Sequence, residues 1–410
     1  MLRFSASPTS DMHIGDLRVA LFNYIVSKQN NENLLVRIED SDKEKNTEGK
    51  DQEILDLLEL FGIKYSQVIY QSQNVRFYTA MALQLMHEKK AFSCFCSKAW
   101  LDKKKQEAKE AKKPYKYDDA CENLPDELVI DNPNPFTIRI KKPTDNISKD
   151  IDSFVILKQD KTPTYNFASA VDDMLNDISI VVCNENHMDD MLKQEHIRNS
   201  LNYDKKIKYI YLQKIINEDE FSVKRLLKEG YLPEAILNYL ISIDNKTPKK
   251  IFSVKEAVEW FNLDNISNSP TRFDIEILKD INKQHLKNLD SKELSRYVGF
   301  ADEEIGEVAK VYLEEVTTTK ELKNKIEPIF KPKIIPSEFK KDSLLMVETI
   351  KKAPYFEKYD DFKNYIMKES GLKEKDFFKL FGLLLTGSEN TPDLKQLYKY
   401  LKNYLGEIIK

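Results

Sequence analysis

Residues 3–25 read RFSASPTSDMHIGDLRVALFNYI, a short strand pattern that passes through a polar turn into a helix. Apolar residues recur at helical spacing from Ile14 to Ile25. The turn itself carries hydroxyl groups and, at the start of the helix, His13 and Gly15. Helix N-termini attract anions because their first amides lack helical partners. The stretch predicts a phosphate-binding or nucleotide-binding turn, with a capped turn and a surface histidine as the alternative.

The segments that follow extend this beginning into a sheet. Residues 34–40, LLVRIED, form a nearly continuous apolar strand, and residues 47–61 have helical periodicity. A strand–helix–strand–helix order is typical of a parallel α/β sheet. The order is interrupted over 92–176 and resumes at 177 with DISIVV. After Lys224 nearly all of the chain is helical by periodicity.

Length and these breaks predict several domains within the 410 residues. The predicted parts are 1–91, the first half of a nucleotide-binding domain; 92–176, an inserted domain; 177–240, the second half; and two helical domains, 241–320 and 321–410.

Composition excludes several function classes. Lysine plus arginine number 64 against 68 acidic residues, so any nucleic-acid surface must be a local patch. Only 10 glycines occur, and neither G-x-G-x-x-G nor a P-loop is present, which argues against dinucleotide oxidoreductases and P-loop enzymes. No apolar run is long enough to span a membrane, so we expect a cytoplasmic protein without membrane contact.

Three cysteines suggest a metal site. Cys94 and Cys96 are separated by one residue, and Cys121 follows a lysine-rich helical stretch. Thiolates are preferred zinc ligands, and closely spaced cysteines suit a reducing compartment better than a disulfide framework. The sequence predicts either a zinc site or three reduced structural thiols.

Many segments resemble one family in the right order. They include RFSASPTSDMHIGDLR, LLVRIEDSD, CFCS, PYKYDDAC, FVILKQDKTPTYNFASAVDD, KQEHIRNSL, EGYLPEAILNYL, APYFE and LLLTGSEN. Together they resemble the class I glutamyl-tRNA synthetases over essentially the whole chain. The resemblance implies a Rossmann-like parallel sheet with an inserted α/β domain and an all-helical C-terminal region. It implies that 92–176 is an acceptor-arm and zinc-knuckle domain, that 241–320 contacts the tRNA stem and that 321–410 binds the anticodon. It also implies ATP with Mg, a zinc ion, an amino acid such as glutamate, tRNA as partner, and a monomer.

The resemblance also implies roles for single residues. It implies an amino-acid pocket of Arg3, Ser5, Ser7, Glu39, Tyr165 and Cys183; an ATP site of Ser7, Thr9, His13, Gly15 and Glu185; catalytic roles for His13, Gly15 and Asp16; and zinc ligands Cys94, Cys96 and Cys121 with Tyr117 as a weaker fourth. Lysines of segment 98–116 would contact the tRNA acceptor arm.

Four departures from the family pattern bear on activity. The family's lysine loop is missing between YIYLQKIIN and FSVKRLL, where only EDE stands, and Cys183 occupies the place of the arginine that receives the substrate's side-chain carboxylate. About a dozen residues are missing before DIDSFVIL, and Gly382 stands where an anticodon-reading arginine is expected.

Two hypotheses follow from this pattern. The first is a glutamate-tRNA ligase-type enzyme with impaired activity on glutamate or a related amino acid. The second is a catalytically lapsed relative that binds tRNA, an amino acid or a protein partner without charging. Absence of the lysine loop and of the carboxylate-binding arginine favours the lapsed relative, whereas retention of His13, Gly15, Glu39 and Tyr165 favours the enzyme.

Overall fold

The computed structural model describes residues 1–144, 151–216, 221–243, 245–267, 269–388 and 391–409. It divides the chain into two compact units, one formed by Met1–Asp219 with Lys255–Arg272 and the other by Glu220–Val254 with Phe273–Lys410. None of the helices in the described ranges has the length and apolar character needed to cross a membrane. The division into five domains remains a prediction.

The strands belong to three sheets of the first unit. They are β1 (Leu2–Ala6), β2 (Leu34–Ile38), β3 (Gln67–Tyr70), β4 (Ala91–Cys94), β5 (Thr137–Ile140), β6 (Phe154–Leu157), β7 (Ile180–Asn184), β8 (Lys208–Leu212), β9 (Ile215–Ile216) and β10 (Thr271–Arg272). The main sheet has the order β3-β2-β1-β7-β8 and all its pairings are parallel. This confirms the predicted parallel sheet.

Helices alternate with these strands along the chain and make up most of the second unit. Up to residue 216 they are α1 (Ile14–Gln29), α2 (Lys50–Leu60), α3 (Val75–His87), α4 (Lys98–Glu110), α5 (Asp126–Ile130), α6 (Tyr165–Leu175) and α7 (Met188–Ser200). From residue 221 they are α8 (Val223–Lys228), α9 (Pro233–Ser242), α10 (Val254–Trp260), α11 (Ile275–Asn288), α12 (Ser291–Tyr297), α13 (Glu303–Val311), α14 (Thr319–Ile326), α15 (Lys340–Lys352), α16 (Tyr359–Ser370), α17 (Glu374–Thr386), α18 (Leu394–Leu401) and α19 (Leu405–Ile408). The C-terminal region is helical, as predicted.

Burial explains why the first strands form. Every residue of β2 is buried, which is expected for a central parallel strand covered on both faces. The predicted helix over 47–61 begins only at Lys50, because Gly49 has a φ of 78° and takes the left-handed conformation that glycine tolerates.

The interruption in the sheet pattern is an antiparallel sheet of β4, β5 and β6. Its core is shared with α3, α6 and α7, through residues such as Tyr78, Ile140 and Phe167. Helix α6 lies within the range 92–176 that the sequence assigned to the insertion. Its Asp173 nevertheless contacts the parallel sheet, as described below.

Two glycines in the second unit permit close packing. A Cβ on Gly306 of α13 would lie 1.7 Å from the Ser291 carbonyl oxygen at the start of α12, so a side chain cannot fit there. Gly382 is buried in α17, and a Cβ there would meet the Thr391 side chain at 3.0 Å. An arginine at position 382 would therefore require its neighbours to move.

Candidate active site

A cavity of about 240 Å³ lies at the carboxyl ends of the central strands. Ligands of parallel α/β sheets bind at this end of the strands. The cavity is lined by residues that follow or end β1, β2 and β7 and by the first residue of α6. Of the predicted site residues, those lining it are Arg3, Ser5, Ser7, Thr9, Asp16, Glu39, Tyr165 and Cys183.

Arg3 and Glu39, which line the cavity, are linked by a chain of alternating charges through the buried Arg37 and Asp173. Arg3 donates from Nε and Nη2 to the two carboxylate oxygens of Asp173, at 2.7 and 3.1 Å. Arg37 donates to the same Asp173 from Nη1 at 2.6 Å and to Glu39 from Nη2 at 3.1 Å. Although burial would raise it, the charges of Arg3 and Arg37 hold the pKa of Asp173 below its ordinary range. These contacts fix the positions of Arg3 and Glu39.

Glu39 and Tyr165 both line the cavity. The Ser7 hydroxyl donates to Glu39 at 3.5 Å. Burial and, to a smaller extent, the negative charge of Glu39 raise the pKa of Tyr165. Its phenol therefore stays protonated and can donate a hydrogen bond. The Tyr165 ring lies 6.1 Å from the ring of His187, another lining residue that sequence reasoning did not select.

The first turn of α1 borders the same cavity. His13 precedes the helix in an extended conformation, and its amide donates to the Asp16 carboxylate at 3.4 Å. The preceding turn is held in place because Thr47 donates to the Thr9 carbonyl at 3.1 Å. The arrangement leaves the positive end of a 16-residue helix beside the cavity.

Three predicted ATP or catalytic residues are not among those lining the cavity. His13 is partly exposed at the helix start, Gly15 is buried within the first turn, and Glu185 lies in the short 3₁₀ turn Glu185–His187 after β7. All three adjoin elements that do line it. Their roles remain predictions.

Cys183 lies near the end of β7 and is 7% exposed. Burial raises the pKa of its thiol to about 11. The side chain is therefore neutral near pH 7, and this part of the cavity wall carries no charge of its own.

The other three cysteines cluster in the inserted sheet. Their sulfur atoms all lie within 4.8 Å of one another, with Cys96 and Cys121 at 3.6 Å. A tetrahedral zinc with bonds of about 2.3 Å places its sulfur ligands roughly 3.8 Å apart. The spacing therefore fits a zinc site.

Tyr117 and Arg139 contact the sulfur atoms of this cluster and lower the pKa of Cys94. The Tyr117 hydroxyl lies 3.4 Å from the sulfurs of both Cys94 and Cys96, and Arg139 Nε donates to the Cys94 sulfur at 3.3 Å. Burial alone would raise the pKa of Cys94, but the Tyr117 and Arg139 hydrogen bonds contribute to lowering it to about 7. The pKa of Tyr117 is raised by burial and by its bonds to the cysteines, so the phenol is a weaker ligand than the thiolates.

The lysine-rich stretch forms α4, in which no residue is buried. Its charged side chains form ion pairs only at exposed positions. In one of these pairs, Lys104 Nζ lies 3.2 Å from a carboxylate oxygen of Glu107. This leaves a basic surface of the kind that contacts phosphates.

Sequence reasoning missed Asp173 and Arg37. Both are fully buried, and Asp172 beside Asp173 is 1% exposed. The sequence does show two adjacent acids within the apolar pattern of α6. Because buried carboxylates require partners, this pair indicates that buried cations or hydrogen-bond donors lie close to α6. The identity of those partners depends on the three-dimensional fold.

Comparisons with known proteins agree with this architecture. The family model "tRNA synthetases class I (E and Q), catalytic domain" matches residues 1–280. The chain is 61% identical over 432 residues to Glutamate--tRNA ligase 2 of Sulfurimonas denitrificans and 48% identical to Glutamate--tRNA ligase 1 of Nitratiruptor, with 100% of both chains covered in each case. Since this chain has 410 residues, the relatives carry residues without a counterpart here.

Solved structures show the same fold. The glutamate tRNA ligase of Elizabethkingia meningosepticum, in complex with its amino acid, superposes with a TM-score of 0.81 at 22% identity, covering 100% of this chain and 98% of that one. The enzyme of Elizabethkingia anophelis gives 0.78 at 23% identity with the same coverage. On the family match and the full-length relatives, the chain belongs to the glutamate–tRNA ligase family, whose members are enzymes that form aminoacyl-tRNA.

Proposed function

We propose that this chain binds ATP and an α-amino acid in the strand-end cavity and carries out the glutamate-tRNA ligase type of reaction at a reduced rate. The observation that carries the proposal is the meeting of Ser7, Glu39 and Tyr165 in one cavity beside the N-terminus of α1. In the reaction, an oxygen of the amino-acid carboxylate attacks the α-phosphorus of ATP and pyrophosphate departs. A terminal ribose hydroxyl of tRNA then attacks the acyl carbon of this adenylate, an ester bond forms and AMP departs.

Glu39 and Tyr165 would hold the amino acid. Glu39 is oriented by Arg37 and accepts from Ser7, which leaves its carboxylate suited to pair with a substrate ammonium. The protonated Tyr165 phenol, which lines the same cavity, would donate a hydrogen bond to the amino acid. Two such anchors fix the carboxylate of the substrate for attack, and positioning of this kind accounts for a large share of catalysis.

The helix N-terminus would hold the nucleotide. His13 caps α1, Gly15 lies in its first turn, Ser7 and Thr9 lie in the preceding turn, and Glu185 directly follows β7. Among the described residues, the three cysteines are the group of side chains that could hold a metal ion. Magnesium would therefore enter the site bound to the ATP phosphates, whose charge it neutralises. Asp16 would orient His13 through the backbone contact.

Two features support a reduced rate. Residues 217–220, where the family's lysine loop would insert, lie outside the described residues, and the sequence contains no lysine there. Removal of one preorganised donor of charge stabilisation costs about 10² to 10³ in rate. Cys183 is neutral, so it offers no charge to a substrate carboxylate. The full-length relatives contain additional residues, which agrees with a shortened chain here.

Zinc bound by Cys94, Cys96 and Cys121 is part of the proposal, with Tyr117 beside the metal. The three thiols lie within 4.8 Å, and Arg139 favours the thiolate of Cys94. Zinc would hold the segment 94–121, which includes α4, against the inserted sheet. It would have no part in the chemistry.

The proposal also includes tRNA as acceptor, action as a monomer and a cytoplasmic location. The exposed lysines of α4 would contact the acceptor-arm phosphates.

The test is amino-acid-dependent exchange of pyrophosphate into ATP, followed by tRNA charging. We expect slow but measurable exchange that is abolished in a Tyr165→Phe, Glu39→Gln double variant. No exchange, together with retained binding of ATP and amino acid, would instead identify a catalytically lapsed binding protein.

A further inference from the structure

His187 lines the strand-end cavity, although the proposed site gives it no role. It ends the short 3₁₀ turn Glu185–His187 that follows β7, and its side chain is 37% exposed. Among the described residues that line the cavity, the two bases are Arg3 and His187. Arg3 already binds Asp173 through two hydrogen bonds, so His187 is the other candidate to meet an anionic ligand.

A chain of three hydrogen bonds holds the His187 ring. Nδ1 of His187 lies 3.4 Å from one carboxylate oxygen of Asp190, and Asn166 donates to the other carboxylate oxygen at 3.0 Å. Gln194, which is fully buried, donates to the Asn166 side chain at 3.1 Å. The chain thus connects a ring at the cavity wall to the interior of the protein. A side chain supported in this way is held in one orientation, as a preorganised active site requires.

His187 is near residues of both halves of the proposed site. Its ring centroid lies 6.1 Å from that of Tyr165, which belongs to the amino-acid half. Burial raises the pKa of Asp16 in the first turn of α1, while the His13 amide and the charges of His13 and His187 oppose that rise. His187 is therefore also close to the helix N-terminus. The amino-acid carboxylate and the α-phosphorus of ATP have to meet between these two halves.

We infer that His187 is a further catalytic residue of the proposed reaction, which donates a hydrogen bond from Nε2 to a nonbridging oxygen of the α-phosphate, and that Asp190 is the residue that positions it. The inference rests on the proposed function, because it assumes that ATP and an amino acid react in this cavity. An imidazolium has two N–H donors. When Nδ1 donates to Asp190, Nε2 is the donor for the phosphate.

The reaction requires a donor at this point. A carboxylate oxygen of the amino acid forms a bond to the α-phosphorus, the bond from phosphorus to the pyrophosphate oxygen breaks, and its electron pair leaves with pyrophosphate. A fixed donor beside the α-phosphate stabilises the charge that develops there in the transition state. His187 keeps its proton throughout. Because residues 217–220 contain no lysine, this donor would supply a larger share of the stabilisation in this chain.

The test is pyrophosphate exchange into ATP with tRNA present, measured over a range of ATP and of glutamate concentrations. His187→Phe keeps a ring but removes both nitrogens, and it is expected to lower kcat about 10²-fold and to change each KM by less than about threefold. His187→Gln retains an N–H donor and is expected to recover at least about tenfold of that loss. His87→Phe, at the exposed end of α3, is the matched control and should change neither constant.

Asp190 is tested through its dependence on His187. Asp190→Asn alone is expected to lower kcat at least about tenfold, because the ring loses its charged partner. In a chain that already carries His187→Phe, the same change should have less than about a twofold effect, since Asp190 acts through the ring. Equal losses in both backgrounds would identify a merely structural role for Asp190. Asp189→Asn, at the neighbouring exposed position of α7, is the charge control.

Thermal unfolding establishes that each variant is folded. If His187→Phe does not fold, His187→Asn replaces it, because the shorter amide cannot place a donor where Nε2 lies. A kcat that stays within about threefold in the folded variant, or a loss confined to KM, overturns the inference but leaves the proposed function intact. Absence of exchange in the unaltered chain overturns the proposed function and the inference with it.

Discussion

Arg37 and Glu39, two residues apart at the end of β2, are joined by an ion pair of 3.1 Å in which the Arg37 side chain is only 1% exposed. The same guanidinium binds Asp173 of α6. A residue predicted to meet the substrate is thereby fixed to the core of the sheet. In the proposed site, stability and substrate binding would therefore depend on the same arginine.

Replacement of Arg37 by methionine is expected to lower the free energy of unfolding by about 3 to 5 kcal/mol, because it leaves Asp173 and Glu39 incompletely compensated. Urea unfolding measures the change. Lys104→Met, which breaks the exposed pair with Glu107, is the control and should change stability by less than about 0.5 kcal/mol. An effect of Arg37→Met as small as that of the control would contradict the network's structural role.

Glu39→Gln is expected to weaken binding of an aminoacyl-sulfamoyl adenosine by about 30-fold or more, since the ammonium loses its charged partner. Binding of ATP alone should change less than about twofold, because the proposed nucleotide contacts lie at α1. Calorimetry with both ligands separates the two effects. Glu107→Gln, on exposed α4, is the control, and unchanged analogue binding in Glu39→Gln would remove Glu39 from the amino-acid site.

Cys183 is expected to resist alkylation. With a pKa of about 11, its thiolate fraction at pH 8 is about 10²-fold below that of an ordinary cysteine. Because the raised pKa favours the thiol, the rate should rise about tenfold per pH unit from pH 7 to 10. Peptide mass spectrometry after iodoacetamide treatment follows the site. Rapid modification at pH 7 in the folded chain would be incompatible with this environment, whereas protein unfolded in urea should react normally.

Protein purified without chelator is expected to contain about one zinc per chain. Cys121→Ser should lose the metal because it removes one of three thiolate ligands. Cys183→Ser is the matched control and should retain it, since Cys183 lies outside the cluster. Elemental analysis measures both, and a metal content near zero in the unaltered chain would favour three reduced structural thiols.

Insertion of a lysine loop after Asn217, combined with Cys183→Arg, is expected to raise glutamate-dependent pyrophosphate exchange. Each restored contact should contribute about 10² to 10³ in rate. The single changes serve as controls for the combined one. Full activity in the unaltered chain would refute the proposed impairment, and absence of rescue in folded, ligand-binding protein would favour a binding function.

Local patterns were sufficient to predict β1, α1 and β2, because each segment has a clear apolar period and ends in polar residues. They also located the interruption after β3. They gave no sign that Asp173 of α6 binds Arg3 and Arg37, which precede it by 170 and 136 residues. A buried ion network is assembled from distant segments, so a single sequence shows its members but not their pairing.

The central position of β1 has a consequence for synthesis. Residues 2–6 pair with β2 soon after both are made, but their other neighbour, β7, begins only at Ile180. At about 5 to 20 residues per second, one edge of β1 waits roughly 10 to 40 seconds for its partner. During that interval the growing chain carries an open sheet edge, which is a site for pairing with other chains. Because of this strand order, the protein is most exposed to aggregation while only its N-terminal half has been synthesised.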